Sequence, residues 1–383
     1  MIIPHFTRPF HCDVLIYDIP GSAWLHKCIP ESASYKVLNI RHHRPLFIDA
    51  RFLASMFRHY FNFSRQIPNR RFLSYVFSIL DTICPRVILT FADNNIVLGE
   101  YAKRSPDTLV VSIQNAIRGT VDSIPPNTKL PIYYSLGQAE REVFKEIGVT
   151  FEEYLPVGSV KLGLFLEGHR ECDFLWNLSF CSHYRPELLE KDAGPLFQMI
   201  EEAHRHLFQL VCRYAAKRSL SVAILSKTRE PELQILEEKY FSSLCEGYPF
   251  TLIAGNKLDR EFATYDGAFS SELIVNLCST LGYEAFGAGR KVLFGSGYRT
   301  DLLEDWGAVQ YYERLPSQVS LQNDTLVEFS QKADALREMD SATYKAITQD
   351  AATFYMTLPQ EQFPHDVIRK RLASHLAQDS LGM

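Results

Sequence analysis

The sequence predicts an α/β protein made of two Rossmann-like domains facing across a cleft, with a C-terminal helical tail. Short apolar runs alternate with amphipathic stretches over most of the chain, the order expected of parallel strands wrapped by helices. The alternation breaks once, near residues 158–172, and then resumes, so the pattern is laid down twice. With 383 residues, 46% of them hydrophobic, the chain can furnish two cores of ordinary size.

In the first unit, residues 1–157, the runs 14–19, 36–40, 86–91, 109–113 and 132–135 read as strands, and 48–60, 71–80 and 138–147 as helices. Gly148 closes the last of these as a C-terminal stop. Pro156, Gly158, Gly163 and Gly168 then interrupt the pattern, and charged residues without a period follow, so 158–172 reads as a linker. The second unit, 173–325, offers strands at 174–178, 222–225, 251–254, 273–277 and 291–294, and a long helix over 194–217. Residues 326–383 look helical, and such a tail packs back across both domains.

Several classes fall away on composition. No apolar run approaches the roughly 18 residues of a membrane span, and the first ten residues lack the apolar stretch and cleavage site of a signal peptide. A cytoplasmic location is therefore expected. The net charge of −5 argues against a nucleic-acid binder; the basic clusters at 41–44 and 65–71 could meet phosphate or anionic lipid, and solvated loop charge is the favoured, plainer reading. The Phe- and Arg-rich stretch 52–71 is the candidate for peripheral contact with a membrane, set against the plainer reading of aromatics in a core. Eight cysteines without a C-x-x-C pair fit reduced, buried thiols, and His204 and His206, two apart on a helix, point to different faces and share no metal.

The most informative stretch is SELIVNLCSTLGYEAFGAGRKVLFGSG, from Ser271: strand, polar turn, helix, glycine break, strand. Ser279 and Thr280 fall at the strand's C-terminal edge, where open α/β sheets bind ligands, and with the backbone N–H groups of the helix start they can hold a phosphate. Glu284, one helical turn on, is placed to accept from ribose hydroxyls; the plainer reading is an ordinary βαβ unit with Ser279 as a cap. Ser226, Lys227, Thr228 and Arg229 occupy a loop between strand and helix, two cations and two hydroxyls suited to a phosphate or a carboxylated sugar, with plain surface charge as the competing reading. His183 follows the first strand of the same unit and is a further donor-side candidate.

In the first unit Asp93, Asn94 and Asn95 follow one strand, and Gln114 and Asn115 follow the next. These groups can orient acceptor hydroxyls, and Asp93 can remove a proton from the attacking one if its surroundings raise its pKa. Capping of the helix near Asn95 is the structural alternative. Arg118 suits an acidic or phosphorylated acceptor, and Asp18, before Pro20 and Gly21, is the reserve catalytic carboxylate.

The Ser/Thr turn followed by a helical Glu resembles the donor-binding region of GT-B glycosyltransferases. DVLIYDIPGS from Asp13, LTFADNN ending at Asn95, SIQNAIRG from Ser112 and LPVGSVKLG from Leu155 resemble transferases of bacterial surface-carbohydrate biosynthesis. That resemblance implies a glycosyltransferase acting on lipopolysaccharide, capsule or a related glycan, with a nucleotide-activated donor such as CMP-Kdo or another acidic sugar, and a glycan or glycolipid acceptor. The sequence contains no Asp-x-Asp with which to hold a divalent metal, so metal-independent transfer without a cofactor is expected, cations and helix ends stabilising the leaving phosphate. A sugar-nucleotide epimerase or hydrolase, and a non-catalytic subunit of polysaccharide assembly, are the alternatives on the same scaffold. A nicotinamide-dependent dehydrogenase and an esterase are disfavoured, because neither G-x-G-x-x-G after the first strand nor G-x-S-x-G is present.

Overall fold

The computed structural model describes the chain except residues 1–2, 20, 41–42, 48, 64–68, 94, 121–125, 170–172, 187–193, 256–260, 296–303, 359–361 and 379–383. The strands of the first half are β1 (Ile3–Thr7), β2 (Val14–Tyr17), β3 (Tyr35–Leu38), β4 (His43–Phe47), β5 (Val87–Thr90), β6 (Leu109–Ile113), β7 (Lys129–Ser135) and β8 (Thr150–Pro156). Six of them form one sheet in the order β3-β2-β5-β6-β7-β8, and β1 and β4 make a separate pair. The second half contributes β9 (Trp176–Cys181), β10 (Val222–Leu225), β11 (Thr251–Ile253), β12 (Ser271–Asn276) and β13 (Val292–Phe294), in the order β11-β10-β9-β12-β13. Every pairing in both large sheets is parallel. These are two Rossmann-like sheets in the GT-B manner, followed by C-terminal helices. Buried on both faces, strands such as β2, β5 and β10 read as continuous apolar runs, which is why the sequence betrays them.

Helices α1 (Ser22–Leu25), α2 (Ala50–Asn62), α3 (Arg70–Ile83), α4 (Ile96–Arg104) and α5 (Ala139–Glu146) belong to the first half. Asp49 caps α2 and Asn95 caps α4, each accepting from a backbone N–H two residues on. Gly148 ends the turn after α5 with φ +71°. The stretch expected as a linker contains a further helix, α6 (Val160–Gly168), started by Ser159, whose side chain accepts from Leu162 N. Its apolar residues run all round the helix, so it lacks the one-sided period that marks helices in the sequence. In the second half α7 (Pro195–Arg218), α8 (Pro231–Leu244), α9 (Ala263–Phe269) and α10 (Thr280–Gly287) cover the sheet.

After the short α11 (Gln310–Glu313), three helices finish the described chain: α12 (Leu326–Glu338), α13 (Ser341–Tyr355) and α14 (Pro364–Gln378). They return the chain to the first sheet. Thr357 N donates to Leu136 O at 2.7 Å and Gln138 N to Phe354 O at 2.7 Å. A Cβ on Gly158, at φ +91°, would lie 2.0 Å from Thr357 O, so only glycine lets the two backbones approach there. Ile368 and Leu372 of α14 are buried in one apolar cluster with Val14, Ile16 and Leu89 of the first sheet. Replacing Leu372 by Ala leaves a cavity in that cluster, and a loss of about 2–5 kcal/mol is expected, read as a lower urea midpoint at unchanged m-value. An unchanged midpoint would mean that α14 adds nothing to the first domain's core.

Candidate functional site

In open parallel sheets a ligand crevice forms where the strand order reverses, at the carboxyl ends of the strands. In the second sheet that reversal lies between β9 and β12. The turns leaving these strands, with His183 after one and Ser279 and Thr280 after the other, line a cavity of about 730 Å³. Lys227, Thr228 and Arg229 enter it from the end of β10. Opposite them stand Asn115 and Arg118, from the loop after β6, and Lys161 of α6. The cavity is thus walled by both halves of the chain.

Local bonding holds each wall. Ser279 N donates to Asn276 Oδ1 at 3.0 Å, and the start of α10 lies so close over Asn276 that a Cβ at Gly282 would sit 2.1 Å from its amide carbon. Ile117 N donates to Thr280 Oγ1 at 3.2 Å, which ties the first domain's loop to the start of α10. Beneath the β9 and β10 turns lies Glu237 of α8, fully buried, accepting from the hydroxyls of Ser182, Ser226 and Thr228. This carboxylate shapes the turn bearing Lys227, and sequence reasoning missed it. The sequence carries no signal for it: Glu237 shares the inward face of α8 with Phe241, while the apolar Ile235 and Leu236, which a pattern would turn inward, are exposed.

Charge in the cavity is unbalanced. Arg118, Lys161, Arg185, Lys227 and Arg229 line it, against the carboxylates of Glu261 and Glu284. Glu284 accepts from the hydroxyls of Ser159 and, at 2.8 Å, Tyr265. Burial raises its pKa, while Lys161 and the Ser159 and Tyr265 hydrogen bonds hold it down. Lys161 donates to Asn115 Oδ1 at 2.8 Å and lies 4.7 Å from the Trp24 ring centroid; Arg229 lies 5.0 Å from the same ring. Burial lowers the Lys161 pKa despite nearby Glu284. The ring of His183 is held neutral, its pKa pushed well below the ordinary value first by burial and then by the charges of Lys227 and Arg185.

The carboxylates expected to act at the first domain's edge lie elsewhere. Asp93 does not line the cavity: its oxygens stand 2.9 and 3.1 Å from Arg118 Nε, and Tyr133 donates to it at 2.9 Å. Gln114 is buried behind, donating to Glu140 at 2.8 Å and accepting from Leu136 N. Asn95 is a helix cap, the structural alternative, and Asn94 lies outside the described residues. Asp18, buried and left-handed at φ +76°, accepts from its neighbour Ile19 N and stays out of the cavity lining. Of the acceptor-side residues, the structure brings Asn115 and Arg118 to the cleft, and all seven donor-side residues line it. Arg185 and Lys161, which sequence reasoning passed over, join them. Among the described residues no cluster of three His, Cys, Asp or Glu side chains could hold a metal ion.

Behind Asp93 lies a second acid that the sequence did not flag. Glu140 is fully buried and accepts from Tyr311 of α11 and from Tyr133, which joins the Asp93–Arg118 pair to the second half of the chain. Burial, and then the charge of Asp93, raise its pKa to about 8.

A scan against protein-family models finds no match, and no curated protein matches the sequence. Solved structures show distant likenesses. The wall teichoic acid polymerase TagF aligns with 95% of this chain and 90% of its own at 10% identity and a TM-score of 0.48. UDP-GlcNAc 2-epimerase from Neisseria meningitidis, bound to UDP-GlcNAc, aligns with 95% of this chain and 99% of its own at 11% identity and a TM-score of 0.46. Sucrose-phosphate synthase from Thermosynechococcus elongatus aligns with 83% and 81% at 10% identity and a TM-score of 0.43. At this distance the reading of the site rests on its own residues.

The raised pKa of Glu140 has a signed consequence. Between its ordinary value of 4.5 and about 8 the unfolded chain is ionised at this residue and the folded chain is not. Glu140 therefore subtracts stability as the pH rises through that window, and subtracts nothing below it. Glutamine presents the same donor and acceptor as the neutral acid, so Glu140→Gln should gain on the wild type steadily from pH 5 to pH 8 in urea unfolding. His204, held down to about 3 by burial, works in the opposite sense at acid pH but cancels in the difference. A difference independent of pH would remove the neutral acid from this network.

Proposed function

We propose that the chain is a glycosyltransferase that holds a nucleotide-activated sugar in the cleft between its two sheets and passes the sugar to a glycan or glycolipid acceptor. The observation carrying this reading is the set of five cations from both halves of the chain around one cavity at the second sheet's strand-order reversal. Such a lining suits a ligand with two anionic groups, either a nucleoside diphosphate sugar or a nucleoside monophosphate joined to a carboxylated sugar such as Kdo. The start of α10, at Ser279 and Thr280, offers backbone donors to a phosphate, and Lys227 and Arg229 offer charge to it.

In transfer the acceptor hydroxyl attacks the anomeric carbon, the bond to the phosphate oxygen breaks, and negative charge grows on the departing nucleotide. Fixed cations serve that charge best, because they need no reorganisation as it develops. Asp93, in this reading, is a positioning residue: it aims Arg118 and neutralises it until the ligand's anion arrives. The proton of the acceptor goes to His183. Burial first, and then the charges of Lys227 and Arg185, hold it neutral in the free cleft, and a bound anion that offsets those charges raises its basicity.

Calorimetry with UDP-, GDP- and CMP-sugars tests the donor. One class should bind, with Lys227→Ala and Arg229→Ala each weakening it about tenfold, the order expected for a lost charged hydrogen bond. Turnover should require an acceptor and survive EDTA; donor consumed without any acceptor would make the chain an epimerase or hydrolase, and activity abolished by EDTA and restored by metal would end the metal-independent reading. His183→Gln should lower kcat on the order of a hundredfold or more while donor affinity is kept. A His183→Gln enzyme of full activity would return the base to an unassigned residue.

A further inference from the structure

We propose that the outer face of α2 is a docking surface for an anionic lipid bilayer, separate from the donor cleft and independent of the reaction assigned to it. Helix α2 is apolar on two sides. Its inner side buries Phe52 and His59 against α3, with the His59 ring set edge-on to Phe77. Its outer side leaves Leu53, Phe57 and Phe61 exposed at 49%, 58% and 74%. The spacing of four places these three in one row along the helix. A surface helix of a water-soluble protein keeps its outer row polar, and a row of this kind marks a face that something apolar covers.

The charge around the row selects the occupant. Near it the described residues Arg51, Arg58, Arg70 and Arg71 stand against Asp49 and Asp81, a local excess of positive charge in a chain whose net charge is −5. Arg51, Arg58 and Arg71 are exposed, and Arg58 is anchored by Asp81 at 2.7 Å, across from Ser55 and His59 on the same carboxylate. A second copy meeting this face through a two-fold axis would set arginines against arginines. A bilayer containing anionic lipid satisfies both parts at once: the row enters the boundary between headgroups and acyl chains, and the guanidinium groups remain among the phosphates. Helix α2, 13 residues or roughly 20 Å long, lies flat on such a surface. No described helix is long and apolar enough to cross the membrane, so the contact is peripheral.

The test is flotation of the full-length chain with vesicles of phosphatidylcholine, alone or mixed with phosphatidylglycerol, at low and high salt. The expected result is binding to the mixed vesicles that weakens with salt. The double variant Phe57→Ser/Phe61→Ser should reduce the bound fraction on the order of tenfold, with an unchanged melting curve because both side chains are exposed. Leu175→Ser, at a residue 69% exposed on the other half of the chain, should leave binding as it is. No flotation with either vesicle, equal flotation with both, or full binding by the double variant would overturn the proposal. So would a wild-type dimer in light scattering that the double variant loses, since the face would then belong to a second copy.

Discussion

Like charges around one cavity repel, and the architecture of this cleft is governed by the need to hold five of them in place. No single element could do so. Asp93 and Tyr133 fix Arg118 from behind, Asn115 and Glu284 flank Lys161, and the Trp24 ring lies beside both Lys161 and Arg229. Three of the five cations are thus held by neighbouring side chains. Cations outnumber carboxylates among the lining residues, and the anionic ligand proposed for the cleft meets side chains already ordered by folding.

The same economy of charge explains the chemistry one layer down. Asp93 and Glu140 both adjoin Tyr133. Asp93 is in direct contact with Arg118, whereas Glu140 accepts from hydroxyl and amide donors, and burial followed by the charge of Asp93 drives it towards its neutral form. Tyr311 approaches Glu140 from the second half of the chain, so the protonation of this acid is felt at the junction of the two halves as well as behind the cleft.

The sequence was informative where one dimension of it maps onto one element. Buried parallel strands are apolar end to end, and β6 and β10 occur where the runs 109–113 and 222–225 indicate. Strand β9 lies two to three residues later than the run 174–178, because Phe174 and Leu175 are exposed apolar residues that the pattern takes for buried ones. Helix α6 reads as a linker because its glycines are conspicuous and its apolar residues have no preferred side; Gly163 packs against Pro364 of the last helix, a contact two hundred residues away in sequence. The residues expected on the donor side line the cavity because strand ends in such sheets open onto one crevice. Asp93 also follows a strand but does not line the cavity, because Arg118, 25 residues on, binds its carboxylate. Glu237 and Glu140 serve other side chains, and that service is written only in three dimensions.

A cleft of this kind couples its parts through charge rather than through movement. In the free cleft burial, and then the cations Lys227 and Arg185, lower the basicity of His183, the group proposed to take the acceptor's proton. In the proposed reading, the nucleotide's anionic groups offset Lys227 and Arg185 on binding and so raise the imidazole's affinity for a proton. The arrangement requires no hinge, because the distance from His183 to its neighbours need not change for its pKa to do so. In the proposed reading donor recognition and proton transfer are linked through the unbalanced charge of one cavity.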